Sequence, residues 1–176
     1  MGISIGASLG SASGFPNDPT KIGLISNYTD SGIGAGYGAR AWAGFALRDF
    51  LVFGASIGTI GFDAGENVVF IGTVGFHTEV FPLYALGGTF RELGLAFETG
   101  IGTGIATPSN DTSTLLVDGG LTSSIGVSAF YEGMRIGPKL SMGPYLAYDY
   151  TWSASMRGGA FVLGWRTALY PLNKKK

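Results

Sequence analysis

The sequence predicts an all-β protein, an eight-stranded antiparallel up-and-down β-barrel that spans a membrane. Three observations predict it. Bulky apolar residues alternate with small or charged ones along most of the chain, and a period of two is that of a β-strand. The alternating segments are longer than ordinary soluble strands, which have about 5–6 residues. Only 13% of the 176 residues are charged and 45% are hydrophobic, with a mean hydropathy of +0.30. So few charges suit a surface that faces lipid.

The alternation is plainest over residues 32–47. One face carries Ile33, Ala35, Tyr37, Ala39, Ala41, Ala43, Phe45 and Leu47, and the other carries Gly32, Gly34, Gly36, Gly38, Arg40, Trp42, Gly44 and Ala46. The face with glycines and charge fits a narrow interior, whereas the apolar face fits lipid. No apolar run approaches the roughly 18 residues of a transmembrane helix.

Eight segments follow this pattern. In chain order they are Gly2–Gly14, Gly32–Leu47, Phe50–Phe62, Val68–Val80, Arg91–Thr107, Thr114–Tyr131, Arg135–Thr151 and Arg157–Pro171. In each segment, alternate residues are apolar and are predicted to face outward. For the third to the eighth segment, in order, they include Leu51, Phe53 and Ile57; Val68, Phe70 and Val74; Leu93, Leu95 and Phe97; Leu115, Val117 and Leu121; Ile136, Leu140 and Met142; and Phe161, Leu163 and Trp165. In the first segment the predicted outward residues include Ile3, Ile5 and Leu9. Most segments exceed the roughly 9–11 residues that cross a bilayer at barrel tilt.

The connections alternate in length. Arg48-Asp49 and Glu132-Gly133 are predicted to be tight turns, and residues 15–31, 63–67, 108–113 and 152–156 to be longer polar loops. This alternation places both chain ends and the tight turns on one side, the periplasmic side in the usual arrangement. The connection 81–90 is long and apolar, and it is predicted to lie on the membrane surface.

Composition limits the organisation and the partners. Residues 1–173 are predicted to form one domain, and Lys174, Lys175 and Lys176 lie outside the pattern as a native or an added tail. The chain has no cysteine and one histidine, so neither a metal site nor a cofactor is expected. A net charge of −1 argues against nucleic acid as a partner. The apolar outward faces of the strands make membrane lipid the expected partner.

In strand number, alternation and alternating loop length, the chain resembles the small eight-stranded outer-membrane barrels of the OmpA/OmpX type. The resemblance covers nearly the whole chain and is architectural, since no specific motif carries it. It implies an integral protein of a bacterial-type outer membrane. One feature departs from the pattern: such barrels often end in an aromatic residue, whereas here Tyr170 is followed by six more residues, including the three lysines.

Inward positions carry the candidate functional residues. On the tight-turn half they are Arg40, Trp42, His77, Glu79, Glu98, Lys139 and Arg166, and on the loop half Asp118, Thr122, Ser124, Tyr145 and Asp149. Because buried charges must pair, the first set predicts an internal network that plugs the lumen. Inward glycines on the loop half predict a partly hollow, mildly acidic vestibule above that plug. We therefore expect one constriction, formed by Arg40, Trp42 and Arg166, that opens when Arg40 and Trp42 are replaced by glycine.

The outward face of the second segment is unusually small, because it carries Ala35, Ala39, Ala41 and Ala43. Small residues allow another surface to approach closely. Two interpretations stay open: a contact with a second barrel or a lipoprotein, or ordinary tolerance of alanine by lipid.

The predicted function is non-enzymatic, with a largely plugged lumen and a role in structure, assembly or surface contact. The alternative is a narrow pore or small-solute binder that uses the glycine-lined vestibule. A less favoured function is a lipid-acting enzyme with His77 and Glu79 as an acid–base pair, since His77 faces away from lipid. A soluble lipocalin-type barrel is the alternative fold, and it needs the reverse placement of charge.

Overall fold

A computed structural model describes residues 1–14, 29–47, 50–110, 117–137 and 139–170 of the chain. Its strands are β1 (Gly2–Gly14), β2 (Thr29–Asp30), β3 (Gly34–Ala46), β4 (Leu51–Asp63), β5 (Asn67–Val80), β6 (Leu93–Pro108), β7 (Val117–Asp118), β8 (Thr122–Tyr131), β9 (Met134–Ile136), β10 (Leu140–Trp152) and β11 (Met156–Leu169). Two short 3-10 turns, Tyr84–Leu86 and Gly88–Glu92, connect β5 to β6. Among the described residues, no helix is long and apolar enough to span a membrane.

The sheet closes on itself. Eight long strands pair in the order β1-β3-β4-β5-β6-β8-β10-β11, every pair is antiparallel, and β11 pairs with both β10 and β1. The short strands β2, β7 and β9 extend pairings at the rims. The predicted eight-stranded up-and-down barrel is confirmed. We call the end that holds Met1 and Tyr170 the terminal end, and the opposite end the loop end.

The wall is apolar on its outer side and close-packed on its inner side. Outward Ile5, Phe76 and Leu163 are 62%, 76% and 65% exposed, whereas inward Val69 and Ala160 are 0% and 1% exposed. In water, so many exposed large apolar side chains would drive association. In a bilayer they face a medium of their own polarity, so this is the wall of a transmembrane barrel.

One predicted turn is wrong. Glu132-Gly133 does not reverse the chain, which continues into β9 and turns around Gly137, a residue with φ +66°. Phe130 pairs with Tyr145, but Met134 pairs with Met142, so residues 131–133 oppose only residues 143 and 144. This extra residue is a β-bulge, which bends a strand and redirects its side chains.

Glu132, within the bulge, continues the inward alternation of Phe130 and lies in the lumen, where it is 1% exposed. Gly143 makes the bulge sterically feasible, because a Cβ there would lie 1.7 Å from the carbonyl oxygen of Tyr131. The rim of the terminal end thus contributes a carboxylate from a residue that the prediction had placed in a tight turn.

A second bulge corrects the sixth predicted strand. Residues 103 and 104 of β6 oppose residues 119–121 between β7 and β8, and Gly120 has φ +55°. The break shifts the alternation, so Val117 faces inward at 3% exposure and Asp118 faces solvent, the reverse of the prediction. The predicted start of this strand at Thr114 lies outside the described residues, as do the turn Arg48-Asp49, most of the loop 15–31 and the tail 171–176.

The connection 81–90 also differs from its prediction in part. Leu86 and Phe90 are exposed at 71% and 58%, as a segment on the membrane surface would be. Phe81 instead points into the barrel mouth, where it packs edge-on against Phe130 with ring centroids 5.5 Å apart.

Candidate functional site in the barrel lumen

Seven ionisable side chains form a continuous chain across the terminal half of the lumen, which we call the ionic cluster. Its members are Arg40, His77, Glu79, Glu98, Glu132, Asp149 and Arg166. The successive contacts are Asp149 Oδ1 to Arg40 Nη2 (2.6 Å), Arg40 Nε to Glu98 Oε2 (2.7 Å), Glu98 Oε1 to His77 Nδ1 (2.5 Å), His77 Nε2 to Glu79 Oε1 (2.6 Å), Glu79 Oε1 to Arg166 Nη2 (2.7 Å) and Arg166 Nε to Glu132 Oε1 (2.6 Å). Strands on all sides of the barrel are thereby tied together through its interior.

His77 is the centre of the ionic cluster. Its two ring nitrogens contact the carboxylates of Glu98 and Glu79, and the ring is 2% exposed. A neutral imidazole donates from one nitrogen only. A protonated ring would donate a hydrogen bond to each carboxylate.

Arg166 is held by both charge and stacking. Its guanidinium bridges Glu79 and Glu132, and its central carbon lies 3.6 Å from the Phe130 ring centroid and 4.3 Å from that of Trp42. Planar guanidinium groups suit bidentate carboxylate contacts and aromatic stacking. The Trp42 ring in turn stacks on His77 with centroids 5.3 Å apart.

The ionic cluster has more acidic groups than basic ones. Four carboxylates face two guanidiniums and one imidazole. Hydroxyl groups stabilise part of this excess, since Tyr170 and Ser141 both donate to Glu132 Oε2, at 2.8 and 2.9 Å. Within the described part of the chain, no group of His, Asp and Glu is arranged to hold a metal ion.

The structure places six of the seven residues predicted for the tight-turn half together: Arg40, Trp42, His77, Glu79, Glu98 and Arg166. The prediction for Lys139 is wrong, because its side chain is exposed in the turn before β10. Glu132, which the sequence analysis had assigned to a turn, occupies the network instead. Continuing the inward alternation from Phe130 would have identified it.

The five residues predicted for a vestibule divide into three groups. Thr122 and Tyr145 are buried at 1% and 6% exposure, and Asp149 belongs to the ionic cluster through Arg40. Ser124 is half-buried. Asp118 is a correction: it is exposed, and its carboxylate accepts a hydrogen bond from the Gly120 amide at 2.8 Å.

Apolar side chains fill the loop half of the lumen. This apolar layer consists of Ile60, Phe62, Val69, Ile71, Val117 and Met156, each at most 7% exposed, together with buried alanines. A cavity beneath the loop end, lined in part by Ser31, Val117 and Met156, measures about 10 Å³. That is about the smallest space that admits one water molecule. Among the described residues, side chains thus occupy the place that was predicted to be a hollow, glycine-lined vestibule, and this corrects the prediction.

The inward glycines are recesses that receive the apolar layer. A Cβ at Gly10 would lie 2.8 Å from Phe62 Cε1, and one at Gly104 would lie 2.9 Å from Met156 Sδ. A Cβ at Gly38 would lie 2.9 Å from Val162 Cγ2. Glycine on one strand thus makes room for a bulky side chain on another.

We expect Gly38→Ala to lower the free energy of unfolding by about 1–3 kcal/mol, because overpacking displaces a neighbour in a filled interior. Gly72→Ala is the matched control, since Gly72 faces outward and the nearest atom to its Cβ position is 3.7 Å away. Urea unfolding of both variants in lipid vesicles measures the difference. Equal stability of the two variants would mean that the lumen has spare room at Gly38.

The predicted alanine face lies on the outer wall. Ala35 and Ala43 are exposed, and Ala39 and Ala41 are half-buried. Ala39 is paired with Thr59, which is paired with Gly72, so small residues continue across three strands. Ala39, Ala41, Thr59 and Gly72 line a groove of about 800 Å³ in the wall. Contact with a second barrel through this face stays a prediction.

The closed sheet and the lipid-facing wall define the class: a small transmembrane β-barrel. No protein-family model matches the chain, and no curated protein matches it. Several solved structures share its fold, among them Ail and Neisserial surface protein A. Ail, the attachment invasion locus protein of Yersinia pestis, is 12% identical with a TM-score of 0.56, over 94% of this chain and 97% of that one. Neisserial surface protein A is 12% identical with a TM-score of 0.51, over 96% and 97%. At this identity the likeness is one of fold.

Proposed function

We propose that this protein is an integral outer-membrane barrel with a sealed lumen. Its role is in structure, assembly or surface contact, and it catalyses no reaction. The observation that carries the proposal is the succession of two filled layers, the ionic cluster followed by the apolar layer. An eight-stranded interior is just wide enough for side chains to fill. Water and solutes then have no continuous path.

The arrangement of the lumen argues against the two alternative functions. A pore or solute binder needs the hollow vestibule, whose place the apolar layer takes. A lipid-acting enzyme needs a histidine nitrogen free to accept a proton from a nucleophile. Both nitrogens of His77 are engaged by carboxylates, and the ring faces the lumen instead of the lipid.

A sealed interior leaves two surfaces for function, the lipid-facing wall and the loop end. Of the two proteins of similar fold, one is named an attachment invasion locus protein and the other a surface protein. Outer-membrane barrels of this size have short periplasmic turns and longer extracellular loops. We therefore assign the loop end to the outside of the cell and surface contact to that end.

Membrane insertion has a direct test. We expect the protein to stay in solution only with detergent or lipid and to migrate on an unheated gel as a compact band that shifts after boiling. The reason is the apolar outer face of all eight long strands. Monodisperse protein in plain buffer, with uptake of a small apolar ligand, would overturn the membrane assignment in favour of a lipocalin-type barrel.

A further inference from the structure

We propose that the outer wall at the loop end binds the phosphate headgroup of an anionic membrane lipid, in a groove beside Arg157. This proposal rests on the membrane insertion proposed above. It assigns a lipid site to a surface outside the lumen.

The groove measures about 500 Å³ and is lined in part by Ser11, Ser13, Tyr148, Tyr150 and Arg157. Its floor is Gly159, which pairs with Ser11 on one side and with Tyr150 on the other. The missing side chain of Gly159 creates the depression. A Cβ there would lie 2.8 Å from the Tyr148 hydroxyl oxygen, so a polar group lies directly over the floor.

Arg157 supplies the charge. Its side chain is exposed on the outward face of β11, level with Ser13 and Trp152. Among the arginines that the structure describes, it alone makes no ion pair with a carboxylate: Arg40 and Arg166 pair within the ionic cluster, and Arg91 and Arg135 pair with Glu92. The nearby carboxylate of Asp30 accepts a hydrogen bond from the Gly32 amide. An unpaired guanidinium beside hydroxyl groups suits a phosphate.

The surroundings select a lipid over a soluble anion. Tyr150 and Trp152 stack at the rim with centroids 5.7 Å apart, as interfacial aromatic residues do at headgroup level. Toward the middle of the wall the groove continues onto Leu9 and Phe161, which are 54% and 55% exposed. A ligand that satisfies both parts has an anionic head and an acyl chain.

Quenching of tryptophan fluorescence by brominated lipids tests this site. Trp152 lies beside Arg157, Trp42 is buried, and Trp165→Phe removes the third tryptophan. The probes are bilayers of brominated phosphatidylglycerol or brominated phosphatidylcholine, each diluted with its unbrominated form. We expect the anionic lipid to associate near Trp152 about fivefold more strongly than the zwitterionic one, the effect typical of one basic residue at a membrane surface.

Two variants complete the experiment. Arg157→Gln should reduce the ratio to near one, whereas Arg135→Gln, which removes an exposed arginine at the terminal end, should leave it unchanged. A ratio near one in the unmodified protein, or one that survives Arg157→Gln, overturns the headgroup site while leaving membrane insertion intact. No quenching by either lipid overturns membrane insertion and this site with it.

Discussion

Replacing Arg166 with methionine is expected to lower the free energy of unfolding by about 3–5 kcal/mol, the usual effect of breaking a buried ion pair. The substitution keeps a long side chain between Trp42 and Phe130 but leaves Glu79 and Glu132 without their shared cation. Both carboxylates are 1% exposed, so water cannot replace the guanidinium. Urea unfolding in lipid vesicles, followed by tryptophan fluorescence, measures the change.

Arg135→Met is the matched control. Arg135 pairs with Glu92 at 2.8 Å, but its side chain is 50% exposed. Exposed pairs contribute about 0–1 kcal/mol, so this variant should unfold close to the unmodified protein. Adding Glu132→Gln to Arg166→Met should recover part of the loss, because it removes one uncompensated charge. Equal, small effects of Arg166→Met and Arg135→Met would contradict a dry, paired ionic cluster.

The second large expected effect is on conductance. Current through the barrel should require that both the ionic cluster and the apolar layer be opened. Replacing Arg40 and Trp42 with glycine should leave the barrel closed, contrary to the expectation from sequence, because the apolar layer still fills the loop half. Replacing Phe62 and Met156 with alanine should also leave it closed, because the ionic cluster is intact. Only the four substitutions together should give current in planar bilayers.

Gel mobility before and after heating shows whether each of these variants is folded. Current through the variant lacking only Arg40 and Trp42 would contradict the sealing role of the apolar layer. Continued closure of a folded fourfold variant would contradict the assignment of the seal to these two layers.

The alternation predicts the barrel because a period of two is a local property. The alternation within each strand indicates which side faces lipid, and Ile3, Ile5 and Leu9 are all exposed as predicted. Inward positions follow from the same parity, so His77, Glu79 and Glu98 could be placed in the lumen from sequence. Which inward side chains pair with each other could not be predicted, because the partners are distant in sequence. Arg40 and Asp149, for example, are 109 residues apart in the chain.

The errors arise where the parity is interrupted. Each of the two bulges adds one residue to a strand. The bulge between β7 and β8 reverses the predicted sides of Val117 and Asp118. The bulge between β8 and β9 lets the chain continue past Glu132-Gly133, where a turn was predicted. Alternation read from sequence contains no signal for a bulge other than nearby glycines. At Glu132-Gly133 the glycine was interpreted as the sign of a tight turn, whereas it lies in a bulge.

The vestibule was mispredicted for a different physical reason. A glycine-lined surface is hollow only if nothing from the opposite wall enters it. Phe62 and Met156 come from strands remote in sequence from Gly10 and Gly104, and shape complementarity between them is a property of the closed barrel. Composition of one face therefore indicates available space but not its occupancy.

The central claim is a membrane-inserted barrel with a sealed lumen, and single-channel recording on the unmodified protein tests it most directly. Protein whose heat-dependent gel shift shows that it is folded is added to a planar lipid bilayer under an applied voltage. The two filled layers predict a flat baseline with no discrete current steps. Regular, porin-like steps from the folded protein would contradict the sealed lumen and favour a pore.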